Sequence, residues 1–380
     1  MRRTTTRPSF PAMRRVVAAL ALAIAFPASA GQYQPPKQAN DGWPTADAGT
    51  LGWKTATLAT VEDKIADGTY KKITSVLVAD HGRLVYEHYF NGGSADLLND
   101  VRSATKSLTA MLVGAAIQRG AIRDVTAPVY AFFPDVHLER PDPRREAITL
   151  EDLLTMSSIW ECDDDNAFST GNEERMYVSE HWLDFALNLP VRGYAPWVSR
   201  PKDSPYGRTF SYCTAGAFVA GAVVERATKQ PLASFAHEAL EVPLGISQVK
   251  WNVSSEGIGM GGGGTRYRSR DLAKLGQLAA DAGRWQGKAV LPAAWVTRML
   301  TPHAQARDDA DYGYLWWQFR FPIGGVETKV WAMGGNGGNY VFVLPERGLV
   351  TVITSQAYNQ GYGHAQSQAI FRDIVLKALP

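Results

Sequence analysis

The stretch ITSVLVADHGRLVYEHYF, residues 73–90, contains two runs of β-branched and aromatic residues on either side of a short turn. The first run is Ile73–Ala79, the second is Leu84–Phe90, and the turn between them includes Gly82. Two such runs joined by a few residues with a glycine predict a β-hairpin. The chain therefore places a pair of strands close to its N-terminal end.

Strand-like runs return near the C-terminus, at Lys329–Met333, Tyr340–Leu344 and Leu349–Ser355, and Phe371–Leu379 is typical of a closing helix. Between the two sets of strands the chain is helical or polar, and it contains no internal repeat. Strands at both ends with helices between them predict an α+β fold. We expect one antiparallel sheet built from both termini and flanked by helices, with an inserted, mainly helical lobe at about residues 121–250.

Helical periodicity is clearest in Ser103–Arg119, where apolar residues recur on one face and Gly120 follows as a cap. Two further helices are predicted, Ala215–Thr228 and, after the glycine run Gly261–Gly264, Ser269–Ala282.

The charge of the chain is unevenly distributed. The formal net charge is +2, but residues 1–30 contain five arginines and no acidic residue, so the remainder has a formal charge of −3. Without a basic patch outside this leader, nucleic-acid binding is not expected. An apolar content of 45% and a charged content of 20% also exclude disordered and collagen-like chains.

The leader has the three parts of a secretory signal peptide. An Arg-containing start precedes the apolar run Val16–Phe26 and the small residues Ala28-Ser29-Ala30. The run is shorter than the ~20 residues that span a bilayer, so cleavage after Ala30 is favoured over a membrane anchor. We expect residues 1–30 to be removed, a periplasmic or secreted mature protein without stable membrane insertion, and an exposed lead-in at residues 31–50.

Cys162 and Cys213 are the two cysteines of the chain. In an exported protein such a pair favours a disulfide, and two buried free thiols are the alternative.

Ser103-Ala104-Thr105-Lys106 opens the first helix. Residues three apart on a helix are neighbours, so the serine hydroxyl and the lysine amine can meet, as a nucleophile and its base require. An N-capping serine beside a surface lysine is the alternative. A second Ser-x-x-Lys, Ser199–Lys202, contains Pro201, which disfavours a helix there.

Two more segments could complete such a site. Tyr212 precedes a predicted helix in a loop, where its hydroxyl could face a cleft, although a packed core tyrosine has the same pattern. Gly334–Asn339 has four glycines between two strands, which permits a close approach of backbone to ligand, and a plain hairpin turn is the alternative.

Together and in this order, these three segments resemble the serine β-lactamase and penicillin-binding protein superfamily. The resemblance is closest to its class C-like branch, which includes esterases, D-aminopeptidase-like enzymes and 6-aminohexanoate-dimer hydrolases. Three further stretches support it: Ile148–Ser158, Tyr267–Gly276 and Asn336–Pro345. The resemblance covers about residues 50–378 and implies a β-lactamase/transpeptidase-like hydrolase domain at residues 51–380.

The resemblance also implies roles for individual residues. Ser103 is the expected nucleophile, Lys106 and Tyr212 are the expected general base and acid, and the backbone amides of Ser103 and Asn336 are the expected oxyanion hole. The expected substrate-binding residues are Asn166, Thr214, Gly335 and Gly337. A Cys162–Cys213 bond would tie the acidic loop to this site.

The sequence departs from the pattern in two respects. Thr214 stands where the family has an asparagine, and Met333 and Gly334 stand where it often has a basic residue or histidine. Asn166 and Gly262 occupy the places of the substrate-contacting Tyr and Asn of the dimer hydrolases. The resemblance therefore does not extend to hydrolysis of β-lactams or of nylon oligomers by this protein.

We predict an exported serine hydrolase that cleaves an amide or ester bond through an acyl-enzyme on Ser103. A penicillin- or peptide-binding sensor that is acylated without turnover is the alternative. Neither a metal nor a cofactor is required, and the expected ligands are small amides, esters or short peptide-like molecules.

The acidic residues Asp163–Asp165, Glu173 and Glu174 form either a solvated loop or a contact for a cationic substrate end. The sequence leaves the oligomeric state open.

Overall fold

The computed structural model describes residues 32–139, 141–193 and 204–380. The predicted signal peptide and the second Ser-x-x-Lys lie outside the described residues. The strands are β1 Ile73–Asp80, β2 Arg83–Tyr89, β3 Asn99–Asp100, β4 Arg266–Tyr267, β5 Arg284–Trp285, β6 Lys288–Ala289, β7 Ala304–Arg307, β8 Ala310–Tyr312, β9 Trp317–Ile323, β10 Val326–Gly335, β11 Asn339–Leu344 and β12 Leu349–Ser355.

The α-helices are α1 Thr55–Ala66, α2 Thr105–Gln118, α3 Pro143–Glu146, α4 Leu150–Leu154, α5 Glu173–Tyr177, α6 Trp182–Leu187, α7 Thr214–Thr228, α8 Leu232–Ala236, α9 Ser269–Ala280, α10 Ala293–Met299, α11 Gly363–Ala369 and α12 Leu376–Ala378. Short 3₁₀ turns include Arg102–Ala104, directly before α2, and a π-helical segment, Ile370–Val375, joins α11 to α12.

An eight-stranded antiparallel sheet organises the protein, in the order β2-β1-β12-β11-β10-β9-β8-β7. Its N-terminal hairpin joins the last strand of the chain, with Leu77 opposite Val352. The predicted sheet from both termini is therefore confirmed, as is the hairpin at residues 73–90. Two-residue strands β3 and β4 pair separately, beside the start of α2.

Both faces of the sheet are covered, which explains why its strands are almost continuously apolar. Along β1, Val76 and Val78 face a core shared with α1 and the C-terminal helix, whereas Leu77 and Ala79 face the core that contains α2, α7 and α9. This alternation follows from the two-residue period of a strand.

The helical region between α2 and β4 packs on α2 mainly through α7. α2 was predicted to have one apolar face, but every residue from Thr105 to Ala116 is buried. The reason is that α2 lies between the sheet on one side and α7 on the other, so its polar residues need internal partners. Lys106 and Thr109 find them in carbonyl groups of the Gly261–Gly264 run.

Some elements differ from their sequence-based prediction. The closing helical segment begins at Gly363 rather than Phe371, since its first turn carries polar residues that bond to neighbouring loops. The edge strands β7 to β9 and the helix α1 were not predicted. Among the described residues, none of the helices combines the length and the apolar character needed to cross a bilayer.

Candidate active site

Ser103 lies in a tight turn between β3 and α2. The amide of Val101 donates to the Thr265 carbonyl oxygen at 3.0 Å, and Asp100 accepts from the Arg102 amide at 3.0 Å. Arg102 has φ = +50°, a left-handed conformation that costs energy for a non-glycine residue and persists only where surrounding contacts impose it. These contacts aim the residue that follows, Ser103, away from the sheet core.

Lys106 is buried beside Ser103. Its Nζ lies 3.0 Å from Ser103 Oγ and 2.7 Å from the carbonyl oxygen of Gly262, and the residue is 1% exposed. An ammonium here donates to both oxygens, and the neutral amine has a lone pair for the serine proton while still donating to Gly262. The first predicted pair is therefore brought together by the helix and by the glycine run.

The backbone around Tyr212 is bonded to the loop that begins at Cys162. The Asp164 amide donates to the Tyr212 carbonyl oxygen at 2.9 Å, and the Thr214 amide donates to Asp164 Oδ2 at 2.7 Å. Ser211 Oγ donates to the Cys162 carbonyl oxygen at 2.6 Å. These bonds fix both flanks of Tyr212.

The predicted disulfide, Cys162–Cys213, is present within this pair of segments, with the two Cα atoms 5.4 Å apart. It crosslinks the residue next to Tyr212 directly to the acidic loop. Both cysteines are therefore bonded, and the alternative of two free thiols is wrong.

The Tyr212 ring lies between a cation and an aromatic residue. Lys106 Nζ is 4.8 Å from its centroid, and the Trp317 ring stacks on it at 5.7 Å with an interplanar angle of 23°. Among the described residues, no side chain or backbone group is hydrogen-bonded to the Tyr212 hydroxyl, which lines a cavity together with Ser103. The phenol is thus available to a ligand.

The glycine-rich turn between β10 and β11 approaches the Ser103 turn closely. A Cβ atom on Gly335 would lie 2.0 Å from the Val101 carbonyl oxygen and 3.1 Å from the Ala104 amide, so only glycine fits. The next residue, Asn336, borders the same cavity as Ser103. In the loops and turns of the described chain, neither the Ser103 amide nor the Asn336 amide has a hydrogen-bond acceptor. Two backbone donors without a protein acceptor, one in the Ser103 turn and one in the turn that packs against it, are the groups that an oxyanion hole requires.

Ser103 lies where two cavities meet. The larger, of about 500 Å³, extends along Tyr212 and Trp317, and the smaller, of about 340 Å³, extends toward Trp182. Glu173, Asn336 and Asn359 border both cavities, as Ser103 does. A scissile bond at Ser103 would therefore have room on each side.

A third cavity, of about 640 Å³, lies apart from this constellation. Its walls are formed by residues 34–41, β2 and the start of α9. Arg270 at its base is already paired with Asp41 and Glu87. No serine is found among the described residues that line it, so we assign the chemistry to the Ser103 site.

The acidic loop contributes charges to the larger cavity, where Asp164, Asp165 and Glu173 line one wall. Burial raises the pKa of Asp164 to about 6, against the opposing effect of the Lys106 charge. Its oxygens accept from the Thr214 and Glu173 amides at 2.7 and 2.9 Å, so this carboxylate is used within the protein. Asp165 and Glu173 are the other two acids of this wall, and the Glu173 carboxylate accepts from the Tyr177 hydroxyl at 2.9 Å.

The four expected substrate-binding residues are not equally placed. Among the described residues that line the two cavities, only Gly335 of the four is present. Asn166 lies in an exposed turn, where its side chain accepts from the Phe168 amide. Thr214 is fully buried behind Tyr212, and Gly337 has φ = +88° and packs on Tyr358.

Other cavity residues were not anticipated. Arg307, Trp317, Phe319, Tyr340 and His364 form the wall opposite the acidic loop. They come from β7, β9, β11 and α11. Of these five, only Tyr340 lies in a stretch, Asn336–Pro345, that supported the family resemblance. Trp317 lines the cavity, whereas its neighbour Trp316 is fully buried.

Comparisons with known proteins agree with this architecture. The family model described as Beta-lactamase matches residues 62–372. The chain is 25% identical over 267 residues to a 6-aminohexanoate-dimer hydrolase of Paenarthrobacter ureafaciens, a match covering 69% of this chain and 65% of that protein. It is 29% identical over 183 residues to Esterase EstB of Burkholderia gladioli, covering 45% of this chain and 44% of that protein. The chain thus spans less than two thirds of the length of these curated relatives.

Among solved structures, a putative 6-aminohexanoate-dimer hydrolase from Bacillus anthracis superposes with a TM-score of 0.66 at 19% identity, covering 84% of this chain and 82% of that one. Identity at this level shows the fold alone, which is the β-lactamase/transpeptidase-like fold predicted from the sequence. Since the family model covers most of the residues, the conclusion does not depend on any single relative. The chain belongs to the β-lactamase family.

Proposed function

We propose that this protein is an exported serine hydrolase that cleaves an amide or ester bond through an acyl-enzyme on Ser103. The observation that carries the proposal is the contact of Lys106 Nζ with Ser103 Oγ at 3.0 Å, at the junction of two cavities. Two relatives are named as a 6-aminohexanoate-dimer hydrolase and an esterase, and both names support hydrolysis of an amide or ester bond.

In the proposed reaction, Ser103 Oγ attacks the substrate carbonyl carbon and its proton passes to Lys106 or, through it, to Tyr212. The carbonyl oxygen becomes an oxyanion that accepts from the Ser103 and Asn336 amides, each such donor contributing ~3–4 kcal/mol. The same two side chains return the proton to the leaving amine or alcohol as the carbonyl–leaving-group bond breaks. Water then enters, loses a proton to the base and releases the acid from Ser103. No step requires a metal or a cofactor.

Export is part of the proposal and rests on residues 1–30. The disulfide supports it, because disulfides persist in oxidising compartments. N-terminal sequencing of the protein from a periplasmic or secreted fraction should begin at Gly31. A cytoplasmic protein that retains its leader would contradict the export proposal and leave the chemistry untouched.

The acidic wall supports a preference for substrates with an amine-bearing end. Glu173 borders both cavities and Asp165 borders the larger one, so either can pair with an ammonium group. Glu173→Gln should raise KM for amino-terminated esters more than for their acetylated forms. Equal effects on both substrates would remove this preference.

A fluorophosphonate probe tests the nucleophile, followed by a panel of 4-nitrophenyl esters, nitrocefin and amino-acid amides. Ser103→Ala should abolish labelling, and Ser107→Ala is the matched control, since Ser107 lies on the same helix with its hydroxyl bonded to the Leu315 carbonyl oxygen. Absence of labelling in the wild type, or equal labelling in Ser103→Ala, would overturn the proposal. A stable adduct without steady-state product would favour the non-turnover binder.

A further inference from the structure

Arg307 is a cation that lines the cavity of Ser103 and has no close partner inside it. It ends β7 at the edge of the sheet, and its side chain is 52% exposed. Among the described residues, its one hydrogen bond runs from Nε to Asp309 at 3.2 Å. Asp309 is itself 76% exposed, and ion pairs between exposed side chains contribute little.

Besides the exposed Asp309, the guanidinium contacts two aromatic rings. Its central carbon lies 5.1 Å from the Trp317 centroid and 5.9 Å from that of Phe319. Trp317 in turn stacks on Tyr212, and Lys106 Nζ lies over the Tyr212 ring. The column Arg307–Trp317–Tyr212–Lys106 thus connects the cation to the reacting serine.

This arrangement leaves the two Nη groups of Arg307 free of protein acceptors in the described chain. A guanidinium presents paired N–H groups in a planar fork that matches a carboxylate, and stacking on an aromatic face fixes its plane. Asp165 is the other carboxylate near Arg307, and the two are not within ion-pair distance in the described structure. His364, on the same wall, has its pKa lowered by burial and by Arg307, so it adds no competing positive charge at neutral pH.

We propose that Arg307 binds a carboxylate of the substrate, so that the preferred amides or esters carry a free carboxylate several bonds from the scissile carbonyl. The spacing follows from the column, because two aromatic rings lie between the guanidinium and Lys106. The aromatic wall would pack against the apolar part of the same molecule. This inference rests on the proposed hydrolase function and specifies its substrate class.

Two substrate pairs test the proposal, each consisting of a charged ester and its methyl-capped form. Mono-4-nitrophenyl suberate places the carboxylate on the acyl side, and 4-acetoxybenzoate places it on the leaving group. The readout is the ratio of kcat/KM for the charged member to that for the capped member, because the capped ester reports any general damage. Arg307→Gln should lower this ratio about tenfold or more in at least one pair, as loss of a hydrogen bond between charged groups predicts.

Arg320→Gln is the matched control. Arg320 lies on β9, separated from β7 by β8, pairs with Asp311 and is absent from the described lining of the cavity. Arg320→Gln therefore changes the net charge by the same amount as Arg307→Gln. Arg307→Lys should recover part of the ratio, since it keeps the charge without the fork. A ratio that stays within twofold of the wild-type value in both pairs, or that falls equally in Arg320→Gln, overturns the proposal.

Binding measurements separate this inference from the proposed reaction. In a Ser103→Ala background, calorimetric affinity for the charged and capped esters does not depend on turnover. Adding Arg307→Gln should weaken binding of the charged ester about tenfold relative to the capped one. If the wild type hydrolyses none of the esters yet this difference is seen, the carboxylate site stands and the hydrolase proposal fails. Equal losses for both esters would refute the carboxylate site alone.

Discussion

Asp164 donates its backbone amide to the carbonyl oxygen of Tyr212 at 2.9 Å, and this bond joins the acidic loop to the segment that carries the phenol. The disulfide from Cys162 to Cys213 runs alongside it. Because Tyr212 lies between two fixed neighbours, its ring can hold one position over Lys106 without any hydrogen bond to its hydroxyl. The position of the phenol is thus a property of a crosslinked pair of segments.

The Tyr212 hydroxyl should contribute to catalysis and little to stability. Tyr212→Phe keeps the stacking on Trp317 and removes only the hydroxyl, so kcat should fall by ~10²–10⁴, the range of general acid–base catalysis, with an unchanged melting temperature. Tyr130→Phe is the control, because the Tyr130 hydroxyl bonds to the Leu187 carbonyl oxygen away from the cavities. Because Trp160 Nε1, which is buried, also donates to this hydroxyl, Tyr130→Phe should lose about 1–3 kcal/mol of stability and retain kcat. The opposite pattern would contradict the role of Tyr212.

Lys106 and Lys274 are both buried, but only Lys106 contacts the proposed nucleophile. Lys106→Met should reduce kcat by ~10³ or more, since the serine loses its base, while folding is retained because methionine fills a similar volume. Lys274→Met should lower the melting temperature, since Asp271, 3.5 Å away, loses a buried partner, and should keep kcat. Comparable kcat in the Lys106 variant and the wild type would remove the lysine from the mechanism.

Gly335 allows the β10–β11 turn to lie against the Ser103 turn. Gly335→Ala places a Cβ 2.0 Å from the Val101 carbonyl oxygen, so the two turns must separate. We expect kcat/KM to fall by ~10², the cost of a displacement of about 1 Å at a reacting centre. Gly193→Ala is the control, since no atom of the described residues lies within 4 Å of a Cβ there. Full activity of Gly335→Ala would argue against an oxyanion hole between these turns.

Asp164 should make stability depend on pH in an unusual direction. Burial raises its pKa from 3.8 to about 6, so between about pH 4 and 6 the folded state retains a proton that the unfolded chain has lost. Stability should therefore fall as pH rises through this window, by up to ~3 kcal/mol. Asp164→Asn removes this contribution. The free energies of unfolding of the variant and the wild type are measured by urea denaturation at each pH, and the contributions of the other carboxylates cancel in their difference.

The control for this comparison is Asp142→Asn. Its hydrogen bond to Arg144 lowers the pKa of Asp142 to about 2, so its contribution is lost as pH falls, the opposite sign. If the difference between Asp164→Asn and the wild type is the same at pH 4 and pH 7, Asp164 does not titrate in this range.

The sequence was sufficient for features set by short-range backbone geometry. Residues three apart on a helix face each other, so the Ser103–Lys106 contact follows from spacing alone. The N-terminal hairpin and α7 follow from residue alternation and helical periodicity in the same way. The closing helix was predicted to begin at Phe371 instead of Gly363, because the polar residues of α11 do not show the helical spacing of apolar residues on which the prediction relied.

Contacts between residues far apart in the sequence could be predicted only in part. Both cysteines were known, and with two of them a single pairing exists, which is why the disulfide could be expected. The positions of Asn166 and Thr214 were inferred from the order of motifs, and order along a chain does not fix which side chain reaches a cavity. Arg307 and Trp317 belong to no sequence motif, and they reach the site from β7 at the edge of the sheet and from β9 inside it.

By itself, the sequence determined the helix that presents Ser103 and Lys106 and the glycines of the β10–β11 turn, because each depends on residues close together in the chain. Only the tertiary structure decided that Tyr212 lies over Lys106 and that Arg307 and an acidic loop face each other across one cavity. Those relations depend on strand order and on the packing of the helical region against the sheet, where chain segments far apart in sequence become neighbours.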